Sequence, residues 1–341
     1  MFTDPVNIME IDPDLDELPF VSVVIPAYNA SRTVVDCVRS VFDQDYPRDR
    51  FEVIVVDNNS VDGTDRAARE AGAVVCYETE YQSPEAARNQ GVRAARGEII
   101  AFTDSDCVID SDWLTRIVSP FSNPSIGGVV GAILDGESNT LVEEITHRLA
   151  PFRPITVDGL AATLTCNSAF RRSVVQQLGY FDETLFTSAD VDLGWRIQLS
   201  SDYRIVYDMA ARVVHHHRTS ISGLFRQYQR YGYGEILLAT LFKDRHLSGF
   251  KPEEQYSRIF SQVKSLMIYK AAFIKRIITY PLKKRDPFTS YEPLLLWVTE
   301  YANLNGKLHA LIETKGLRQN PFASRSEIVR QRSGSEDRNL P

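Results

Sequence analysis

Short apolar runs alternate with amphipathic segments along residues 21–102. Uninterrupted runs of β-branched residues are typical of strands buried on both faces of a parallel sheet. Helical periodicity, the start signal Ser83-Pro84 and the stops at Gly72 and Gly97 predict a helix after each of the first three strands. Alternation of this kind predicts an α/β fold with right-handed crossovers. The four predicted strands are Val21–Ile25, Val53–Val56, Ala73–Tyr77 and Glu98–Phe102.

The pattern is less regular between residues 128 and 217, and it becomes mainly helical afterwards. We predict strands at Gly128–Leu134, Ala162–Phe170, Arg204–Tyr207 and Arg212–His215, and a helix at Asp190–Ser200. Further helices are predicted at Leu224–Phe242, Glu254–Tyr280 and Tyr291–Leu317. The polar segment 324–341 is predicted to be disordered because it has too few apolar residues to form a core.

These patterns divide the chain into four parts. An acidic leader (1–19) precedes an α/β domain (20–217), a basic helical extension (218–323) and the polar tail (324–341). The leader lacks the basic and apolar regions of a signal peptide. The sequence also contains no run of eighteen uncharged apolar residues, which a membrane span would require. Four widely spaced cysteines fit a reducing compartment better than a disulfide framework. We therefore expect a cytoplasmic location.

The net charge of −7 hides a strong asymmetry. Residues 1–217 contain 17 Arg, no Lys and 34 acidic residues, whereas residues 218–341 contain 21 basic and 11 acidic residues. An acidic body argues against nucleic-acid binding over the whole surface. The basic extension is expected either to lie on an anionic membrane surface, with Trp297 as an anchor, or to be a solvated helical region. The basic residues considered for lipid attraction are Lys264, Lys270, Lys275, Arg276, Lys283, Lys284 and Arg285.

Polar residues follow three of the four predicted strands, at the edge of a parallel sheet where ligands bind. They are Pro26-Ala27-Tyr28-Asn29, Asp57-Asn58-Asn59-Ser60 and Asp104-Ser105-Asp106. The chain lacks a glycine-rich dinucleotide motif and a P-loop, so a metal ion would have to hold any phosphate. Two acids one residue apart can share Mg²⁺ or Mn²⁺, although such a pair can also merely cap a turn.

The order of these blocks closely resembles that of the family 2 glycosyltransferases with the GT-A fold. The resemblance covers residues 20–217. Its segments are Val21–Asn29, Val55–Thr64, Ala87–Gly91, Phe102–Asp106, Cys166–Arg172, Gly179–Glu183, Ala189–Leu193 with Arg196, and Val213–His215. It implies a GT-A domain, a nucleotide-sugar donor and inverting sugar transfer.

The resemblance also implies roles on the donor side. Pro26, Ala27 and Tyr28, with the adjoining Asn29, would line the nucleotide base, and Asp57 would accept a hydrogen bond from it. Arg88 would lie near the diphosphate. Asp104 and the adjoining Ser105 would contact the donor, with Asp104 at the ribose or the metal. Asp106 would ligate the metal together with His215, and His217 is the alternative because the run of three histidines leaves the register open.

Asp190 matches the general base of the family, which takes the proton of the acceptor hydroxyl. The alternative is a simple helix cap. Ala189 departs from the family pattern because an acid usually stands there. Gln227–Tyr231 resembles the QxxRW element of processive synthases, with tyrosine in place of tryptophan. Arg230 would reach the diphosphate, or the segment would be an ordinary amphipathic helix.

The sequence therefore predicts a metal-dependent glycosyltransferase that adds one sugar to a glycan or a lipid-linked saccharide. A UDP-sugar is the expected donor, with guanosine and thymidine donors as alternatives. Two other functions stay open: a sugar-phosphate nucleotidyltransferase, which would lack its usual basic glycine-rich loop here, and a catalytically silent nucleotide-binding partner, which Ala189 suggests.

Overall fold

A computed structural model describes most of the chain. The described residues are 18–149, 153–185, 187–216, 219–245, 247–248, 251–283 and 287–317. The polar tail, nearly all of the leader, His217, Lys284 and Arg285 therefore lie outside the described residues.

The α/β part contains a mixed eight-stranded sheet in the order β3-β2-β1-β4-β9-β6-β10-β5. β1 pairs in parallel with β2 and β4, β2 with β3, and β6 with β10, whereas β9 and β5 pair with their neighbours in the antiparallel sense. Short β7 and β8 form a separate hairpin. The strands are β1 (Val21–Ala27), β2 (Phe51–Asp57), β3 (Val74–Tyr77), β4 (Ile99–Thr103), β5 (Cys107–Ile109), β6 (Ile126–Asp135), β7 (Thr156–Val157), β8 (Leu160–Ala161), β9 (Asn167–Arg171) and β10 (Arg204–His215).

Helices cover both faces of this sheet and continue as the C-terminal extension. They are α1 (Val34–Phe42), α2 (Thr64–Glu70), α3 (Pro84–Ala94), α4 (Trp113–Val118), α5 (Leu141–Leu149), α6 (Arg172–Gln177), α7 (Ala189–Ser200), α8 (Ile221–Leu241), α9 (Pro252–Lys283) and α10 (Pro287–Leu317). The predicted α/β fold with a helical extension is confirmed at the level of this architecture.

Two apolar cores lie on opposite faces of the sheet because successive side chains of a strand point to opposite sides. Val23 belongs to one core together with Trp113. Val24 belongs to the other, together with Phe102 and Phe170. All five side chains are fully buried. The apolar runs of β1, which only Ser22 interrupts, and of β4 are therefore explained by burial on both sides.

Two predicted strand boundaries differ from the structure. β9 begins at Asn167 rather than at Ala162, since residues 162–166 form a connection that contacts α7. Arg204–Tyr207 and Arg212–His215 are parts of one strand, β10, which has an irregular register between Asp208 and Arg212. The sequence pattern did not predict β5 and α4–α6, which are short elements.

The extension packs on itself through an unusually close helix contact. A Cβ atom at Gly232 of α8 would lie 1.9 Å from the backbone oxygen of Asn303, and one at Gly306 of α10 would lie 1.9 Å from that of Gln229. Only glycine allows the two backbones to approach this closely. Leu185 and Ala189 complete an apolar cluster with α8 and α10, so the extension also contacts the segment that leads into α7.

Among the described helices, none combines the length and the apolar character that a bilayer crossing requires.

Candidate active site

The loops after β1 and β2 form one side of the candidate site and are joined by hydrogen bonds. Asn29 accepts through Oδ1 from the Val61 backbone N–H at 3.0 Å, and its own N–H donates to Ser60 Oγ at 2.9 Å. The Ala30 N–H donates to Thr64 Oγ1 at 2.8 Å. These bonds fix the ends of two neighbouring parallel strands against each other.

Asp57 is the last residue of β2, and only one of its two carboxylate oxygens has a hydrogen-bond partner among the described residues. Its Oδ1 accepts from the Ser60 backbone N–H at 2.9 Å, whereas the buried Oδ2 has no hydrogen-bond partner among the described residues. A buried, unpaired carboxylate oxygen is costly and calls for a donor. Pro26 and Ala27 are buried beside it at the end of β1, and Tyr28 is 55% exposed. This arrangement fits a planar ligand that stacks on Tyr28 and donates to Asp57.

Arg88 of α3 connects the loop after β4 to the interior of the site. It is buried and its Nη2 lies 2.9 Å from Asp104 Oδ1. On its other side, Nη1 lies 3.8 Å from Oε1 of Glu85. Glu85 is only 6% exposed, and its Oε2 has no partner among the described residues. Burial raises the pKa of Glu85, which Arg88 partly offsets.

Asp106 and His215 come together because β5 pairs with the end of β10. The register sets His215 opposite Cys107, and the His216 backbone N–H donates to the Asp106 carbonyl at 3.3 Å. Asp106 Oδ1 then lies 3.6 Å from His215 Nε2. Asp106, Cys107 and His215 offer ligand atoms that are all within 4.8 Å of one another. Ser105 lies between the two acids and is half-buried.

The 3.6 Å between Asp106 Oδ1 and His215 Nε2 fits a shared divalent ion. Two atoms that each bind one Mg²⁺ at about 2.1 Å can be at most about 4.2 Å apart, and adjacent ligands are about 3 Å apart. Carboxylate and imidazole suit Mn²⁺ as well as other divalent metals. Cys107 is buried and burial raises the pKa of its thiol, so Asp106 and His215 are the better ligands. Asp104 is turned to Arg88 instead.

Asp190 is the second residue of α7 and is held from two directions. Its Oδ1 accepts from the Val191 backbone N–H at 2.9 Å, and its Oδ2 from that of Thr165 at 3.4 Å. Thr163 Oγ1 donates to its carbonyl oxygen. Ser188, just before the helix, adopts a left-handed conformation with φ 62°. Such strain in a non-glycine residue is found mainly at functional sites.

The pKa of Asp190 is raised, mainly because its carboxyl is buried. Arg88 and the two backbone N–H groups oppose this effect, while Asp104 adds to it. Asp190 is therefore within electrostatic reach of both Arg88 and Asp104. Asp192 has a different role, since its buried carboxylate lies 2.9 Å from Nε of Arg196 in the same helix.

The surroundings of Ala189 explain why this position has no acid, unlike the family pattern. It is fully buried in the cluster formed with Leu185, Ile236, Leu237 and Ala310. An acid at this position would place a charge in this mainly apolar cluster, whose hydroxyl-bearing member, Tyr233, donates to Glu313.

Helix α8 brings two further side chains to the site. Arg230 is exposed and near enough to Glu85 to lower its pKa. Tyr231 accepts from Gln227 Nε2 at 2.9 Å. Burial of its hydroxyl end raises the pKa of Tyr231 to about 12, with additional effects from Cys166 and Asp190. The predicted QxxRY element thus lies beside Asp190.

Glu85 is the residue that the sequence analysis missed. It reads as an ordinary acid in the first turn of a helix, where negative charge is favoured. Its proximity to Arg88, three residues on, was visible as a helical pair. Its burial within electrostatic reach of Asp190 and Arg230 depends on elements distant in the chain and left no signal in the sequence.

The fold and this polar edge define the chain as an α/β protein of the GT-A type. Residues 22–179 match the family described as glycosyl transferase family 2. It is therefore the α/β domain that this match and the curated relatives assign to glycosyl transferase family 2.

Curated relatives are glycosyltransferases. Glycosyltransferase AglE of Haloferax volcanii is 33% identical over 199 residues, which are 54% of this chain and 66% of AglE. The pre-mycofactocin glycosyltransferase of Mycobacterium tuberculosis is 30% identical over 243 residues, which are 66% of this chain and 48% of that protein. The matched regions therefore span between about half and two thirds of these relatives.

A solved structure supports the same fold. The mannosyltransferase PcManGT from Pyrobaculum calidifontis, in complex with GDP-Man and Mn²⁺, superposes with a TM-score of 0.60 at 21% identity. The superposition covers 90% of this chain and 91% of PcManGT, so the fold similarity includes most of the helical extension.

Proposed function

We propose that the chain is a metal-dependent, inverting glycosyltransferase that moves one sugar from a nucleoside diphosphate sugar to an acceptor hydroxyl. The observation that carries this proposal is the convergence of Asp190, Arg88 and Asp104 in a family 2 domain. The reaction requires a base that takes the proton of the acceptor hydroxyl and a positive charge near the leaving diphosphate. A carboxylate and a neighbouring cationic side chain can supply these two functions.

The donor binds, in this proposal, across the ends of β1, β2 and β4. Asp57 Oδ2 accepts from the base, and Tyr28 stacks on it. Asp104 binds the ribose while Arg88 holds its carboxylate in place, and Arg230 reaches the diphosphate from α8. The unpaired oxygen of Asp57 can accept from a uracil or a guanine. The GDP-Man complex of PcManGT therefore supports keeping a guanosine donor as the alternative to the expected UDP-sugar.

Asp106 and His215 are the residues that would hold a divalent ion. When bound, Mg²⁺ or Mn²⁺ would offset the charge that develops on the leaving diphosphate. The donor set of one carboxylate and one imidazole, 3.6 Å apart, supports this assignment.

Asp190 takes the proton of the acceptor hydroxyl as its oxygen attacks the anomeric carbon opposite the diphosphate. Its raised pKa makes it a stronger base than an exposed aspartate. Tyr231 of α8 lies within electrostatic reach of Asp190. The acceptor is proposed to be a glycan or a lipid-linked saccharide.

The test is release of free nucleoside diphosphate from UDP-glucose and GDP-mannose with Mn²⁺, with water as the acceptor. Asp190→Asn is expected to lower the rate by a factor of about 10² or more, since general-base catalysis contributes about 10²–10⁴. Asp202→Asn is the matched control, because Asp202 is exposed and follows the opposite end of α7. It should keep the wild-type rate.

Other outcomes distinguish the alternatives. Full activity in Asp190→Asn would exclude Asp190 as the base. Pyrophosphate release from a nucleoside triphosphate and a sugar phosphate would indicate a nucleotidyltransferase. Nucleotide binding without turnover of either donor, in the wild type, would indicate a silent partner. With an acceptor in hand, product mass tests whether one sugar is added.

A further inference from the structure

The outward side of α9 carries a row of exposed apolar side chains. Their spacing of three, four and seven residues puts them on one helix face. Phe260 is 78% exposed and Met267 is 69% exposed. We call this row the α9 stripe, and its members are Tyr256, Phe260, Val263, Met267, Ile274 and Ile277.

The inner side of α9 makes polar contacts with α10. Gln262 Nε2 donates to Glu300 at 3.0 Å and to Asn303 at 2.7 Å. Arg276 lies 2.9 Å from Glu292. The less exposed side also carries Ile259, Leu266 and Phe273, so α9 has large apolar groups on its outer side in addition to those nearer the protein. A surface helix in water usually keeps its outer side polar. Exposed apolar rows of this kind mark interaction surfaces.

The positive charge around the α9 stripe indicates an anionic partner. Residues 255–283 contain six basic residues and no acidic residue. Arg258, Lys264, Lys270 and Lys275 are exposed, and Lys270 occupies the helix position between Met267 and Ile274 in the stripe itself. A cationic helix with an exposed apolar row is the pattern of a helix that lies in the interface of an anionic membrane.

A second copy of the chain fits this face poorly. Pairing two α9 helices would bring the lysines of one against those of the other, and like charges disfavour such an interface. An anionic lipid surface satisfies both features, because it accepts the apolar row between the headgroups and attracts the lysines.

We propose that the α9 stripe docks the protein on an anionic phospholipid surface. This inference does not depend on the proposed catalytic activity. From its charge, the whole extension was expected either to lie on an anionic membrane or to be solvated. The proposal assigns membrane binding to one face of α9. The face is linked to the candidate active site through α10 and α8, which carries Arg230.

The test is co-sedimentation of the full chain with vesicles of phosphatidylcholine containing phosphatidylglycerol, and with vesicles of phosphatidylcholine alone. The wild type should pellet with the anionic vesicles at low salt and should dissociate as salt screens the charges. The double variant Phe260→Ser/Met267→Ser should bind at least about tenfold more weakly, because two large apolar side chains no longer enter the interface. The variant Lys264→Gln/Lys270→Gln should lose about fivefold per lysine.

The matched control is Leu308→Ser/Ile312→Ser, which removes two exposed apolar residues of α10 outside the stripe. It should bind like the wild type. All substituted residues are exposed, so the melting temperatures should agree with that of the wild type. Three results would overturn the proposal: no binding to anionic vesicles at low salt, equal loss in the α10 control, or a dimer in size-exclusion chromatography that the Phe260/Met267 variant loses.

Discussion

The sheet edge and the helical extension depart in opposite ways from the usual rule that charged residues are exposed and apolar residues are buried. At the sheet edge, charged groups are buried, as in Glu85 and Arg88, and some of their atoms lack partners among the described residues. In the extension, the large apolar groups of the α9 stripe are exposed. Both arrangements are unfavourable for the isolated chain. Each therefore indicates a binding site on the protein. The sheet edge fits a polar ligand, and the α9 stripe fits a membrane with anionic headgroups and an apolar interior.

The two regions meet at Ala189, and a substitution at this contact is expected to have the largest effect on stability. Ala189→Asp restores the acid that usually precedes the base in this family but places it in the apolar cluster with Leu185 and Leu237. Since an unpaired buried charge destabilises a protein by about 3–5 kcal/mol, the free energy of unfolding in urea should fall by that amount. Ala271→Asp, at an exposed position of α9, should change it little. Equal stability of both variants would show that the cluster has room for an acid.

The contact between α8 and α10 should give the next largest effect. In Gly232→Ala, the new methyl group would overlap the Asn303 backbone oxygen, so the two helices must separate. We expect a loss of about 1–3 kcal/mol, typical of overpacking, and slower turnover because Arg230 and Tyr231 shift. Ser222→Ala on the exposed side of α8 is the control. A higher melting temperature in Gly232→Ala, as expected for a helical glycine with free space, would contradict this packing.

The pH dependence gives a smaller effect and tests the coupling within the site. Protonated Asp190 cannot accept a proton, so turnover should fall as the pH drops through its raised pKa. Because the electrostatic effect of Asp190 on Glu85 is reciprocal, Glu85→Gln should move this acid limb to lower pH. The donor KM should change by up to about tenfold, since Glu85 Oε2 is free to accept from the donor sugar. An acid limb unchanged in Glu85→Gln would contradict the coupling.

The same pKa shift has a consequence for stability. Between the ordinary and the raised pKa of Asp190, the folded state holds a proton that the unfolded state has lost, so stability falls as the pH rises through this window. Asp190→Asn removes this effect. At neutral pH this variant should be at least as stable as the wild type in thermal unfolding, although its turnover is lost. A clear loss of stability would show that Asp190 is mainly structural.

The sequence was sufficient for the central strands and the order of the polar motifs, because β1, β2 and β4 are buried on both faces and read as apolar runs. It was not sufficient for β5, which has three residues and exists through its pairing with the end of β10. That pairing sets His215 next to Asp106, whereas sequence alone left His215 and His217 as alternatives. His217 lies outside the described residues.

The extension shows the complementary limit. Periodicity predicted its three long helices but not how they pack, since the close approach at Gly232 and Gly306 depends on two backbones that are far apart in the chain. The burial of Ala189 and Glu85 likewise depends on contacts between distant segments. Charge alone also could not distinguish a solvated basic region from a docking face, because the distinction rests on which side of α9 is covered by α10.

The most direct test of the proposed site is Mn²⁺ binding in the presence of GDP or UDP, followed by electron paramagnetic resonance of the free ion. The wild type should bind one Mn²⁺ together with the nucleotide. Asp106→Asn and His215→Ala should each weaken this binding by about tenfold or more, while His309→Ala on α10 should not. Equal Mn²⁺ affinity in all four proteins would contradict the account, because the ion would then be held without Asp106 and His215.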